Sequence, residues 1–172
     1  MAQRSINNTS FTPTPTADAA TTLANTTYLA VQGASALGTQ GYRIVIQEIF
    51  IGGQAPTTSS PMYMVFARDS TAGITLSLGT NAHDACTTAE SPTGSALGYT
   101  NATTPPARST TLQLVNLSFN AFGGICKWQS PQIPGKEISI VGAANTTGDC
   151  SLSQFTGGTS ALVGAHILYE AI

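Results

Sequence analysis

The residue types that do chemistry near neutral pH are scarce in this chain, and their spacing assembles no site. His83-Asp84 stands two residues before Cys86. Those are the types of a Cys/His nucleophile pair or of part of a metal site. Catalytic pairs meet through the fold and not through adjacency, so the run alone carries neither. His166 lies in Leu162-Val163-Gly164-Ala165-His166-Ile167-Leu168-Tyr169-Glu170, on one face with Leu162, Leu168 and Glu170. It reads as a structural or interface histidine, too far from Glu170 for a forced pair. Cys86, Cys126 and Cys150 are widely spaced with no Cys-x-x-Cys, the pattern of buried free thiols and not of a zinc or redox centre.

The larger catalytic signatures are missing too. A cupin-type metal site needs clustered His and Glu ligands, and no His-x-His occurs. Glycoside hydrolysis needs two carboxylates flanking one bond, whereas Asp69, Asp84, Glu90 and Asp149 are scattered through loop-like stretches. No Gly-x-Ser-x-Gly elbow exists, and Gly135-Lys136 is followed by Glu137, so no phosphate loop forms. Arg68-Asp69 reads as a local ion pair. The expectation is a non-enzyme with no cofactor and no metal. Trp128, the single tryptophan, reads as a core or interface anchor. A sugar site, which needs an aromatic face and few charges, is the alternative for it.

The composition agrees. Six Lys and Arg and eight Asp and Glu stand among 172 residues, and roughly a quarter of the chain is Ser or Thr. A net charge of -2 argues against nucleic acid or an anionic membrane as partner. No apolar run approaches the roughly 18 residues that span a bilayer, and the polar start, Met1 to Asn8, shows no signal peptide. The expected setting is therefore a cytosol, in which the chain stays or which it leaves within an assembly or by lysis. Six Asn-x-Ser/Thr sequons, at Asn7, Asn8, Asn25, Asn101, Asn116 and Asn145, then follow from Thr richness and not from glycosylation. A surface of Thr, Ser, Asn and Gly suits a molecule packed against copies of itself or other proteins.

The elements that must position these residues are strands. Residues 1–26 read as an extended N-terminal arm, because Thr12-Pro13-Thr14-Pro15-Thr16 disfavours helix and Ile6, Phe11 and Leu23 are its only large apolar residues. Its removal is expected to weaken attachment without unfolding the remainder. Residues 27–172 read as one sandwich domain, with strands at Thr27–Val31, Tyr42–Ile51, Pro61–Arg68, Ile74–Leu78, Thr111–Phe119, Ile125–Gln129, Glu137–Val141, Ser151–Phe155 and Leu162–Glu170. Gly52-Gly53, Gly123-Gly124 and Gly157-Gly158 punctuate strand ends, where positive φ is expected. No segment carries a helical period. The fold class is an all-β antiparallel sandwich, jelly-roll-like. Gly79–Arg108 is the long exception, and loops of that length are where a partner contact is expected.

Two strands appear apolar on both faces. Tyr42, Ile44, Ile46 and Phe50 alternate with Val45, Ile49 and Ile51, and Met62-Tyr63-Met64-Val65-Phe66 behaves alike. Sandwich strands ordinarily turn one face to water. A second cover is therefore expected, from the arm or another subunit, which favours a homo-oligomer, with a trimer the usual choice. The candidate interface residues are Ile6, Phe11, Pro13 and Pro15 on the arm, with Tyr42, Ile49, Ile51, Tyr63, Trp128 and His166 on the sandwich.

Three stretches carry a family likeness: Gly41-Tyr42-Arg43-Ile44-Val45-Ile46-Gln47-Glu48-Ile49-Phe50-Ile51-Gly52-Gly53, Asn120-Ala121-Phe122-Gly123-Gly124, and Phe155-Thr156-Gly157-Gly158 through His166-Ile167-Leu168-Tyr169-Glu170. They resemble small jelly-roll virion proteins of tailed bacteriophages, some of which are head decoration (cement) proteins. The resemblance implies a protein on the outer surface of the head, assembled in the host cytoplasm. It implies that the chain clamps the major capsid protein, often as a trimer. The alternative is a receptor- or glycan-binding module of a tail or fibre.

Overall fold

The computed structural model describes residues 2–11, 27–32, 44–54, 59–71, 80–82, 97–99, 107–140, 150–155 and 161–171. Eleven strands run in chain order: β1 (Ala2–Phe11), β2 (Thr27–Gln32), β3 (Ile44–Gly53), β4 (Pro61–Thr71), β5 (Thr80–Ala82), β6 (Leu97–Tyr99), β7 (Ala107–Asn120), β8 (Ile125–Gln129), β9 (Ile138–Ile140), β10 (Cys150–Gln154) and β11 (Val163–Ala171). The described residues contain no helix. One sheet has the order β5-β1-β11-β3-β8, with β9 also on β3; the other has β6-β2-β10-β4-β7. Every ladder is antiparallel. The two sheets pack into a β-sandwich, as the apolar alternation of the sequence predicts. The long strands nest: β1 pairs β11, β2 pairs β10, β3 pairs β8 and β4 pairs β7, alternating between the sheets.

The core lies between the sheets. Ile44, Ile46, Ile49, Ile51, Ile167 and Tyr169 enter from the six-stranded side, and Leu29, Met62, Met64, Phe66, Leu117 and Leu152 from the five-stranded side. Each such large side chain stabilises the fold by about 1.5–3 kcal/mol when fully buried. Arg68 ties one end shut: its Nη2 donates to the Ser139 carbonyl at 2.9 Å. Asp69, next along the strand, points the other way and accepts from the Ser151 hydroxyl at 2.6 Å. Arg68 and Asp69, expected from sequence to pair locally, are strand neighbours that face opposite sides of the sheet and hold Ser139 and Ser151 respectively.

Three expectations are corrected. The first eleven residues are extended, but they do not lie outside the sandwich. Ala2–Phe11 is a strand between β5 and β11, and Ile6 and Phe11 are buried in the core. The polar stretch between them conceals the pattern, and a register irregularity between Asn8 and Phe11 shifts its phase. Pro13 and Pro15 lie outside the described residues.

The second correction concerns β3. It is not apolar on both faces toward two covers. Leu168 pairs Glu48 while Tyr169 pairs Ile46, so Gln47 is an extra, bulged residue. The bulge changes the strand's parity: Ile44 and Ile46 point inward before it, Ile49 and Ile51 after it, all into one core. The Gln47 carbonyl accepts from the Ser130 amide at 2.8 Å, and its Nε2 donates to Glu170 at 3.2 Å. In β4 the outward Val65 and Ala67 are already shielded from solvent within the single chain. Neither strand therefore requires a second subunit as cover.

Third, Gly79–Arg108 is not free of strands, since β5, β6 and the start of β7 fall in it; their three-residue segments carry no readable alternation. Cys86, His83, Tyr42, Ile74–Leu78 and Gly157-Gly158 lie outside the described residues. Cys126 and Cys150 are free thiols, half-buried and buried, as their spacing predicts.

Candidate functional site

The outward face of the six-stranded sheet is built in rows set by strand register. Ile125, Gly52 and Gly164 form one row across β8, β3 and β11. Lys127, Phe50, His166 and Asn7 form the next, and Gln129, Glu48, Leu168 and Ser5 the third. Phe50 and His166, directly opposite each other, stack with ring centroids 5.2 Å apart and planes 9° from parallel. Glu48 joins three strands: its Oε2 meets Lys127 Nζ at 2.7 Å and its Oε1 meets His166 Nε2 at 3.1 Å. The Lys127 ammonium, hydrogen-bonded to Glu48, holds that carboxyl below its ordinary range; partial burial opposes this and the His166 hydrogen bond adds to it.

Above these rows the face sinks into an open trough of about 560 Å³, lined by Asn7, Phe50, Gln54, Ile125 and His166 and floored by Gly52 and Gly164. Glycine weakens a strand interior, so a facing pair needs a reason. At Gly52 the backbone supplies none, because its φ is not positive. Packing supplies none either: a Cβ there would touch Phe50 at 3.8 Å and the Gly124 carbonyl at 4.0 Å, ordinary contacts. What the missing side chain leaves is depth. Gly53 differs, since a Cβ there would collide with the Ala121 backbone.

That collision marks where the β7–β8 turn, Ala121–Gly123, presses on the end of β3. The turn is braced on all sides. Asn120 Oδ1 accepts from the amides of Phe122 at 2.9 Å and Ser60 at 3.1 Å, and its Nδ2 donates to Ser59 Oγ at 2.6 Å. Gly124 N donates to the Asn120 carbonyl at 2.7 Å, and Gly53 N to the Gly124 carbonyl at 2.8 Å. Gly123 has φ +73°, which a side chain would strain. The result is a hydrogen-bonded turn that holds Phe122 in water, 55% exposed. Ile125 beside it is 68% exposed, and Leu162, whose carbonyl accepts from Gln54 N, is 39% exposed. Three of the four large exposed apolar residues among those described thus gather at one end of one sheet.

No family model matches this chain, and neither a curated protein nor a solved structure is similar to it. Among the described residues no group of three His, Cys, Asp or Glu is placed to hold a metal ion.

Of the expected interface residues that lie among the described ones, only His166 is on this face. Ile6, Phe11, Ile49 and Ile51 belong to the core, and Trp128 turns inward and packs against it, so burial within the chain accounts for them. Tyr63 is half-buried on the other sheet, edge-on to Phe155 at 5.4 Å. Phe122, Ile125 and Gly52 were not singled out. Ile125 had a signal, since Ile125, Lys127 and Gln129 alternate with the inward Cys126 and Trp128. Gly52 had none, because Gly52-Gly53 reads as a turn.

Proposed function

We propose that this chain is a structural virion protein, a capsid decoration (cement) protein with a jelly-roll fold, which joins the head shell as a homo-oligomer. The observation that carries the reading is the braced apolar end. An aromatic held in water by a hydrogen-bonded turn is pre-organised for association, because little ordering is left to be done on binding. Exposed apolar groups collected at one place mark a surface that another protein covers. The nested strand order supports the jelly-roll assignment, the arrangement of two Greek keys in eight strands. The scarcity of charge supports packing into a shell in preference to catalysis or nucleic-acid binding. The major capsid protein is the proposed partner and a trimer the proposed oligomer.

Quantitative mass spectrometry of native particles, counting this chain against the main shell protein, tests the reading. A copy number comparable to the shell subunit is expected. A few copies per particle would assign the chain to a tail or fibre instead, and its absence from particles would overturn the virion reading.

A further inference from the structure

We infer that the outer edge of β8 is a docking surface for an extended, carboxylate-bearing segment of another protein, which joins the six-stranded sheet as a further antiparallel strand. The inference goes beyond the virion reading and holds for any partner that supplies such a segment. β8 ends its sheet, with β3 on one side only. The phase of that ladder is fixed at both ends: Gly53 N donates to the Gly124 carbonyl and Ser130 N to the Gln47 carbonyl, each at 2.8 Å. Hydrogen-bonded pairs alternate along an antiparallel ladder, so Cys126 and Trp128 turn their amides and carbonyls to β3. Ile125, Lys127 and Gln129 turn theirs the other way, where no described residue pairs with them. A row of outward amides and carbonyls is a template for main-chain pairing, and it specifies an extended backbone as its occupant.

Two features set this edge apart from that of β7, the end strand of the other sheet, which presents polar Asn116 and Ser118. The first is apolar surface. Phe122 precedes β8 and Ile125 opens it, while Ile133, 59% exposed, follows it on a turn closed by Lys136 N and the Ile133 carbonyl at 3.0 Å. Cys126 and Trp128, which face the core, stay only half-buried, and an added strand would complete their cover. The second feature is charge. Lys127, at the centre of the edge, is the one ionised residue of β8. Pairing of β8 with its own copy over its whole length sets Lys127 opposite Lys127, which like charges oppose. A carboxylate there is attracted instead. The ammonium has three donors, Glu48 meets it from one side, and the side chain is still 47% exposed.

Titration of the full chain with a capped synthetic heptapeptide, Ser-Thr-Val-Glu-Val-Ile-Ser, tests the inference. The antiparallel register sets its Glu opposite Lys127 and its Ile opposite Ile125. Trp128, the single tryptophan, should shift its emission saturably to shorter wavelength, and hydrogen exchange at the Ile125, Lys127 and Gln129 amides should slow. The same peptide with Lys in place of Glu should bind roughly two- to tenfold more weakly. Gln129→Pro removes one outward amide and spares the ladder to β3, so it should abolish the shift while the melting temperature is kept. Methylating the Glu amide of the peptide removes a bond from the other side without touching the protein, and should weaken binding too. No saturable shift, equal binding of the Glu and Lys peptides, or protection at Asn116 and Ser118 in place of β8 would overturn the proposal. So would slowed exchange at the β8 amides of the chain alone as its concentration rises, which would assign the edge to a second copy.

Discussion

The outward faces of the two sheets are finished differently. On the five-stranded sheet, Ala30, Val65, Ala67, Ser151 and Ser153 are small or β-branched and wholly excluded from solvent within one chain, and the only carboxylate among them, Asp69, accepts from Ser151. On the six-stranded sheet, the corresponding face carries a stacked Phe50–His166 pair, a three-strand ion cluster, two glycines and an exposed apolar end. Around β10 the first face is closed by its own chain, while Asn116 and Ser118 on β7 stay exposed. The second is left open, and at Gly52 neither backbone conformation nor packing calls for a glycine. Burial accounts for the one; the proposed assembly is what would cover the other.

The contrast predicts unequal sensitivity. The largest effect is expected from deleting residues 1–11. That deletion removes an interior strand together with Ile6 and Phe11, leaving β5 and β11 without their shared neighbour. The chain should lose its cooperative thermal transition, whereas a detachable arm would leave it intact.

Next comes the closed face. Asp69→Ala strips the buried Ser151 hydroxyl of its charged acceptor and should cost about 1.5–3 kcal/mol in denaturant unfolding. Gln129→Ala, on the exposed edge of the open face, should stay within about 0.5 kcal/mol. Equal losses at the two sites would dissolve the distinction between the faces.

The smallest effect belongs to the ion cluster. The Glu48 carboxyl is held below its ordinary value of 4.5, so its stabilising contribution is complete above that pH and is lost as pH falls through the lower folded value. Glu48→Gln should lower stability at neutral pH by at most about 1 kcal/mol, since the cluster is partly solvated. The variant and wild type should then converge in acid. A gap that widened on acidification would contradict the assigned role of Lys127 and His166.

The sandwich is readable because its strands are rich in apolar, β-branched and aromatic residues and their turns carry Gly, Pro and Asn. Pro61–Thr71, Ile125–Gln129 and Val163–Ala171 announce themselves in this way. β1 did not, because Asn7-Asn8-Thr9-Ser10 is polar and its two inward anchors fall out of phase across an irregular register. The apparent double-sidedness of β3 misled for a related reason: one bulged residue exchanges the faces, and no local signal marks Gln47 as the extra one. The open face depends on pairings far apart in the chain. Gly52 beside Gly164, Phe50 beside His166 and Glu48 between Lys127 and His166 are consequences of register, which periodicity leaves unspecified. The individual residues are visible in the sequence; their convergence is not.

Hydroxyl-radical footprinting, comparing the associated chain with a dilute monomeric sample, examines the central contrast at residue level. Phe122, Ile125, Leu162 and Phe50 should become protected on association, while Tyr63 and Phe155 on the five-stranded sheet keep their labelling. Protection confined to Tyr63 and Phe155, or unchanged labelling at Phe122 and Ile125, would contradict the assignment of the open face as the surface of assembly.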